Sequence, residues 1–156
     1  MNLRNFAHSS NFYFQTNLFD RDESIYAVQE CNLPGLNFSH IITSKRSALG
    51  NIQGDTITFN DLNLSLIIDE NLEVWKEIIS KMLIMRNPDT TEGENYERYG
   101  YLIIQDDNTN EILKLEFVNM MIETIDDLSF NTNSEDEIIT CSIVLKYDYY
   151  NLISSK

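Results

Sequence analysis

The chain has 156 residues, of which 42% are hydrophobic, including eight Phe, eight Tyr and one Trp. This is the composition of a globular protein, and the length suits one domain, so we expect a single domain over residues 1–156. The net charge of −14 excludes nucleic-acid binding through clustered Lys and Arg and disfavours anionic membrane surfaces. The same charge can also serve only to keep the protein in solution.

The N-terminal residues lack the apolar run of a signal peptide, and no apolar stretch is long enough to span a membrane. The two cysteines, Cys31 and Cys141, lie about a hundred residues apart in apolar, strand-like stretches. We therefore expect two buried thiols that act as small hydrophobic residues.

Alternating apolar and polar residues predict three strands in the first half of the chain, over residues 11–18, 25–31 and 56–68. Pro34 and Gly35 predict a turn after the second strand. The apolar phase of the third strand shifts at Asn60 and Asp61, which indicates a bulge or a kink.

The segment between this turn and the third strand, residues 36–54, is polar and irregular in sequence. It is predicted to be a long hairpin arm or an ordered loop, and loops of this length in compact domains usually have a task. Lys45 and Arg46 are two of only 11 basic residues. We expect them, together with Asn51, to contact the carboxylates of a neighbouring subunit. The alternative is a solvated loop tip.

One amphipathic helix is predicted after the third strand, with Asp69 or Asn71 as its cap and Pro88 beyond its end. Its apolar residues recur at helical spacing and form one face, which we expect to pack against a sheet. The face consists of Leu72, Trp75, Ile78, Ile79, Met82 and Leu83. An exposed Trp75 would instead indicate a ligand platform.

The second half is predicted to contain a hairpin and a last strand. Residues 101–104 and 112–118 are strands around a turn at 106–110, residues 120–130 are ambiguous, and the last strand covers 137–149. About seven strands with one helix indicate an α+β or mainly β fold. We expect an antiparallel β-sandwich or barrel-like domain with the helix at one sheet end.

Residue types that form catalytic and metal sites occur without the spacing that such sites need. His8 and His40 have no ligand-like spacing to the cysteines. Residues 106–110 resemble the start of a calcium loop, but Glu111 replaces the required Gly and Phe117 the bidentate Glu. We therefore expect no enzyme activity, catalytic residue, metal or cofactor. A carboxylate pair acting as acid and base is the enzymatic alternative.

The order of several short motifs is more informative than any one of them. A Leu-Pro-Gly turn at 33–35 precedes the arm, and Gly-Asp-x-x-x-Phe follows at 54–59. Asp-Glu at 69–70 precedes the helix with Trp75, and Lys-Tyr-Asp-Tyr at 146–149 ends the last strand. Over residues 10–150 this order resembles the tail tube proteins of contractile-tailed bacteriophages, which are related to type VI secretion tubes. The sequence departs from that pattern at 120–123, where Met-Met-Ile-Glu replaces a Trp-Pro-like element.

The resemblance implies a structural virion protein of the phage tail, assembled in the host cytoplasm. Six copies would close into a ring whose sheets join into an inner barrel, and the arm would reach the next ring. The implied partners are further copies, the sheath, and baseplate or neck proteins, while DNA passes the lumen without specific binding. A major tube protein and a minor protein that starts or completes the tube both fit this pattern.

Two further expectations concern exposed faces. We expect acidic residues in the lumen, with Asp55, Glu116 and Asp148 as candidates, because a negative wall repels phosphate. The alternative places acidic residues towards solvent or the sheath.

A different class of protein, a ligand-binding β-module such as a carbohydrate-binding domain, would be a monomer with exposed aromatic residues on one sheet face. Tyr13, Tyr147, Tyr149 and Tyr150 are the residues that could form that face.

Overall fold

The computed structural model describes residues 11–18, 28–45, 48–85, 98–133 and 137–153. These ranges contain ten strands and one helix, α1. The strands of the first half are β1 Phe12–Thr16, β2 Val28–Cys31, β3 Leu36–Lys45, β4 Ala48–Phe59 and β5 Leu62–Ile67. They are followed by α1 Glu73–Met85, β6 Tyr99–Gln105, β7 Glu111–Val118, β8 Met121–Ile125, β9 Thr140–Lys146 and β10 Tyr149–Ile153.

The strands form two four-stranded sheets and one separate hairpin. Sheet A has the order β1-β6-β7-β10, sheet B has the order β2-β5-β9-β8, and β3 pairs only with β4. All of these pairs are antiparallel. The predicted β-rich antiparallel fold is confirmed, with the one predicted helix among the residues described, and the described strands form a sandwich rather than a closed barrel.

The core lies between the two sheets, where alternate residues of the central strands are buried. It contains Leu62, Leu64 and Leu66 of β5, Cys141, Ile143 and Leu145 of β9, and Phe14, Leu102, Leu115 and Phe117 of sheet A. Gly100 in β6 lies so close to this core that a Cβ there would be 2.4 Å from Met120 Sδ and 3.0 Å from Phe14 Cζ.

Two predicted strands are each two strands in the structure. The predicted strand over 56–68 is the end of β4 followed by β5, and the phase shift at Asn60 and Asp61 marks the passage from hairpin to sheet B. The predicted strand over 137–149 contains β9 and the start of β10, with a corner at Tyr147 and Asp148. Alternation continues through this corner, so the sequence pattern does not reveal the change of sheet. The ambiguous segment 120–130 contains β8.

Asp69 caps the N-terminus of α1, where backbone amides have no acceptor within the helix. The Asp69 carboxylate accepts hydrogen bonds from the backbone N–H of Glu73 at 3.1 Å and of Val74 at 3.3 Å. Leu72 has a φ of 55°, in the left-handed region. Desolvation raises the pKa of Asp69, but these backbone hydrogen bonds outweigh it and hold the pKa below its ordinary value.

The residues of the predicted helix face differ in burial. Ile78 is completely buried in the core, Leu72, Trp75 and Met82 pack against the core half-buried, and Ile79 is half-buried. The assignment of Leu83 to the same face is wrong, because its side chain is 58% exposed.

Candidate assembly interface

The hairpin of β3 and β4, hereafter the arm, is an insertion between two neighbouring strands of sheet B. It leaves the sandwich after β2 and returns at β5, and β2 and β5 pair with each other. At about 3.3 Å per residue its ten-residue first strand is roughly 30 Å long. Both outer edges of the arm carry no further strand in the described residues, and an isolated two-stranded ribbon is marginally stable in water.

The arm exposes an apolar row along one of its faces. Phe38 pairs with Ile57, Ile42 with Asn51, and Ser44 with Leu49, so alternation brings the apolar members of these pairs to one side. Phe38, Ile57, Ile42 and Leu49 are all exposed. We call these four residues the arm stripe. On the other face, Ile41 and Ile52 form a second exposed apolar pair.

A bulge divides the arm into a short segment near the sandwich and a longer outer segment. Ser39 faces two more residues of β4 than a regular ladder allows, between the Phe38–Ile57 and His40–Gln53 pairs. A Cβ on Gly54 would lie 2.1 Å from Ser39 Oγ and 2.9 Å from Ser39 O. The close crossing of the two strands therefore requires glycine at position 54.

Aromatic residues attach the base of the arm to the sandwich. The Phe59 ring stands edge-on to Tyr147 and Tyr150, with centroid distances of 6.1 and 5.0 Å. Tyr147 Oη donates to the Asn60 carbonyl at 2.6 Å, and Tyr150 Oη donates to the Pro34 carbonyl at 3.1 Å. Burial raises the pKa of Tyr147 to about 12, so this donor keeps its proton at physiological pH.

Two of the three predicted contact residues lie in the outer segment of the arm. Lys45 ends β3 opposite Ala48, and Asn51 is exposed in β4 opposite Ile42. Arg46 lies outside the described residues. The predicted hairpin arm is thus present, and its contact role stays a prediction.

The three lumen candidates do not share a surface. Asp55 is exposed on the arm, and Asp148 is exposed at the corner between β9 and β10, where it accepts from Asn119 Nδ2 at 3.0 Å. Glu116 lies on the outer face of sheet A, where it accepts from Tyr101 Oη at 3.3 Å. Of the three, Glu116 alone lies on a face of the sandwich.

The tyrosines proposed for a ligand-binding face are not brought together either. Tyr147 and Tyr150 are half-buried and pack against Phe117, with centroid distances of 4.8 and 5.8 Å. Tyr13 and Tyr149 lie on the outer face of sheet A, in different rows of its ladder. A shared aromatic platform is therefore not formed by these four residues.

The cysteines are both free, with Cys141 buried and Cys31 half-buried. Burial raises the pKa of the Cys31 thiol to about 12, and it also raises the pKa of Cys141. Within the described ranges, no three His, Cys, Asp or Glu side chains are grouped as metal ligands. The helix of the described part is neither long nor apolar enough to cross a membrane.

Sequence reasoning missed two exposed apolar features. Most of the arm stripe lies in residues 36–54, a segment predicted to be polar and irregular. Leu36, Phe38 and Ile42 are nevertheless spaced by even numbers of residues, as on one face of a strand. Phe130 and Ile138, which lie between β8 and β9, are also exposed, and no sequence pattern distinguished them from core residues.

Solved structures of contractile injection machines contain the same fold. The sheath/tube terminator of a PVC extracellular contractile injection system has a TM-score of 0.71 at 10% identity, over 97% of this chain and 99% of that chain. The tube-terminating cap of the anti-feeding prophage has a TM-score of 0.69 at 12% identity, over 99% and 95%. A chain of the PVC sheath-tube complex has a TM-score of 0.63 at 14% identity, over 96% and 92%.

These similarities establish the fold class: this chain has the fold of the tube and tube-terminator proteins of contractile injection systems. The predicted resemblance to tail tube proteins is confirmed for the fold. No model of a protein family matches the sequence, and no curated protein matches it significantly.

Proposed function

We propose that this protein is a structural subunit of the inner tube of a contractile tail, in which six copies close into a ring and rings stack. The arm supports this proposal most strongly. Within the described residues it presents an exposed apolar stripe and two edges without a further strand, on a fold shared over nearly its whole length with a chain of the PVC sheath-tube complex. Open strand edges favour aggregation unless they are covered, and closure into a ring covers them.

Negative-stain microscopy and analytical ultracentrifugation of the concentrated protein test this proposal. We expect rings or tubes and a sedimenting species much larger than the 18.2 kDa monomer. A protein that stays monomeric at high concentration, and that is not incorporated when tube and sheath partners are supplied, would contradict the proposal. A monomer is also what a ligand-binding β-module predicts.

The finer proposal is that the tube belongs to a phage tail and passes DNA without retaining it. The net charge of −14 per subunit supports it, because a negative wall repels phosphate groups. Assembled tubes incubated with DNA at low salt should leave the DNA unbound in a filter-retention assay. Retention that rises as salt is lowered would overturn the proposal of a negative bore.

The second candidate is a terminating subunit that ends the tube and contacts the sheath. The TM-scores of 0.71 and 0.69 with two terminator proteins favour it over the 0.63 found for the sheath-tube chain. A terminator binds one end of a finished tube, so it should form single rings but no extended tubes alone. Tube length in the microscopy experiment separates the two candidates.

A further inference from the structure

Strand β10 is held on the core by one side chain. Tyr150 is half-buried, and its ring packs edge-on against the buried Phe117 at a centroid distance of 5.8 Å. The other residues of the strand are exposed, and the exposed fraction of Leu152 is 70%. β10 pairs with β7 on one side and has no strand on its other side in the described residues. A short edge strand with a single anchoring side chain is expected to open at a low free energy.

The same side chain contacts the base of the arm. Tyr150 Oη donates to the Pro34 carbonyl at 3.1 Å, shortly before β3, and its ring centroid lies 5.0 Å from that of Phe59, which ends β4. Tyr147 Oη donates to the carbonyl of Asn60 at 2.6 Å, directly after β4. One tyrosine therefore holds the chain where it enters the arm, and the other holds it where it leaves the arm.

The two ends of the arm are also tied to each other. The Asn60 backbone amide donates to the Gly35 carbonyl at 3.0 Å, and Asn37 Nδ2 donates to Asn60 Oδ1 at 3.1 Å. We therefore expect the base of the arm to move as one unit. An ion pair of Lys146 with Asp61 also links this unit to β9, but both side chains are about two-fifths exposed, and such pairs stabilise a structure little. The two tyrosines are thus the side-chain contacts that fix the direction of the arm.

We propose that Tyr147 and Tyr150 form a latch that couples the direction of the arm to the docking of β10 on the core. When β10 opens, Tyr150 leaves Phe59 and the Pro34 carbonyl, and the arm loses one of its two fastenings. A partner strand on the open edge of β10 would hold β10 closed and so fix the arm, and by reciprocity a bound arm would hold β10 closed. The existence of such a partner rests on the proposed function, whereas the latch is a property of the single chain.

Spin-label distances within one chain test the latch. Asn51→Cys places a label on the outer arm, and Ser142→Cys places one on β9, an inner strand of sheet B, and both positions are exposed. The native thiols are buried or half-buried with raised pKa values, which keeps their labelling low. Dilution of the labelled chain with excess unlabelled chain restricts the measurement to label pairs within one chain.

Loosening β10 at residues outside the latch is the decisive variant. Asn151→Gly with Leu152→Gly removes two exposed side chains and weakens the strand, because glycine disfavours an extended backbone. We expect a broader distribution of arm distances, together with faster exchange of the β10 amides and of the Asn60 amide at the arm base. Glu111→Gly with Ile112→Gly, at exposed positions where β7 begins, is the matched control and should leave the arm distances unchanged.

Removing one hydroxyl of the latch is the second variant. Tyr150→Phe keeps the ring in the core and loses a single hydrogen bond, so exchange in β10 and at the arm base should become about 2- to 10-fold faster. The distribution of arm distances should broaden as well. Tyr101→Phe, which removes a hydroxyl that donates to Glu116 on the outer face of sheet A, is the control and should change neither quantity.

Arm distances that stay as narrow as in the wild type while β10 exchanges faster would overturn this inference. Equal broadening in the control variants, or unchanged arm distances in Tyr150→Phe, would overturn it too. If β10 and the arm loosen together in a protein that forms neither rings nor tubes, the latch stands and the proposed function is wrong. If rings or tubes form and β10 and the arm loosen independently, only the latch is wrong.

Discussion

Ile78 and Leu83 lie five residues apart on the same helix and differ most in burial, so they separate core packing from helix propensity. Ile78 is completely buried, whereas Leu83 is 58% exposed. Ile78→Ala should lower the free energy of unfolding by about 2–5 kcal/mol, the usual cost of a cavity in a core. Leu83→Ala should cost far less, and urea denaturation of both variants measures the difference. Equal losses would show that α1 does not pack on the core in this orientation.

Asp69 gives the fold a specific dependence on pH. Its pKa in the folded protein lies below the ordinary value of 3.8, so the ionised carboxylate contributes stability above that value. The contribution is lost as the pH falls through the lower, folded pKa. Asp69→Ala should cost about 0.5–2 kcal/mol near neutral pH, as for other helix caps, and the difference from wild type should vanish in strong acid. Glu70→Gln, which alters the neighbouring exposed carboxylate, is the control. A difference that persists unchanged at low pH would contradict the role of the charge.

At the scale of elements, the bulge at Ser39 and Gly54 sets the direction of the outer arm. Gly54→Val places atoms against Ser39 and should disturb the pairing of β3 with β4. We expect fewer or shorter assemblies in sedimentation, with the cooperative unfolding of the sandwich preserved, because the core does not include the arm. Thr56→Val keeps the backbone amide that donates to Ser39 Oγ and should assemble like wild type. Normal assembly of Gly54→Val would show that the crossing of the strands does not aim the arm.

How far the sequence predicts these elements depends on whether burial follows a simple period. β5 and β9 bury every second residue. In α1, Ile78 is buried and the residues three to four positions from it are half-buried. These elements could therefore be predicted from the spacing of apolar residues. At the corner of Tyr147 and Asp148 the alternation in the sequence continues to Tyr149, but Tyr149 is exposed and Tyr150 packs against the core instead. The change of sheet could therefore not be predicted. The charge of a residue does not show which surface it faces. The sequence therefore suggested one lumen wall for Asp55, Glu116 and Asp148, although they lie on separate elements. Outside a regular element, residue type does not distinguish an exposed Phe from a buried one. The structure shows that Leu128 packs against the core and that Phe130 is exposed.

At the scale of the whole molecule, assembly must overcome the repulsion between subunits that each carry a net charge of −14. At 0.01 M salt the screening length is about 30 Å, comparable to the size of a subunit, whereas at 0.15 M it is about 8 Å. We therefore expect the wild-type protein to assemble less well at the lower salt concentration. Residues 36–59 contain two basic residues and one acidic residue, so the predicted contact of the arm with a neighbour's carboxylates would reduce this repulsion locally. Its removal should therefore matter most when screening is weak.

Reversing the charge of the arm tip isolates that contact. Lys45→Glu with Arg46→Glu changes the net charge from −14 to −18, because each reversal removes one positive charge and adds one negative charge. We expect shorter tubes and lower yield in sedimentation and microscopy, with the larger loss at low salt. Tube length and yield that stay unchanged in the Lys45→Glu, Arg46→Glu protein would rule out the predicted contact.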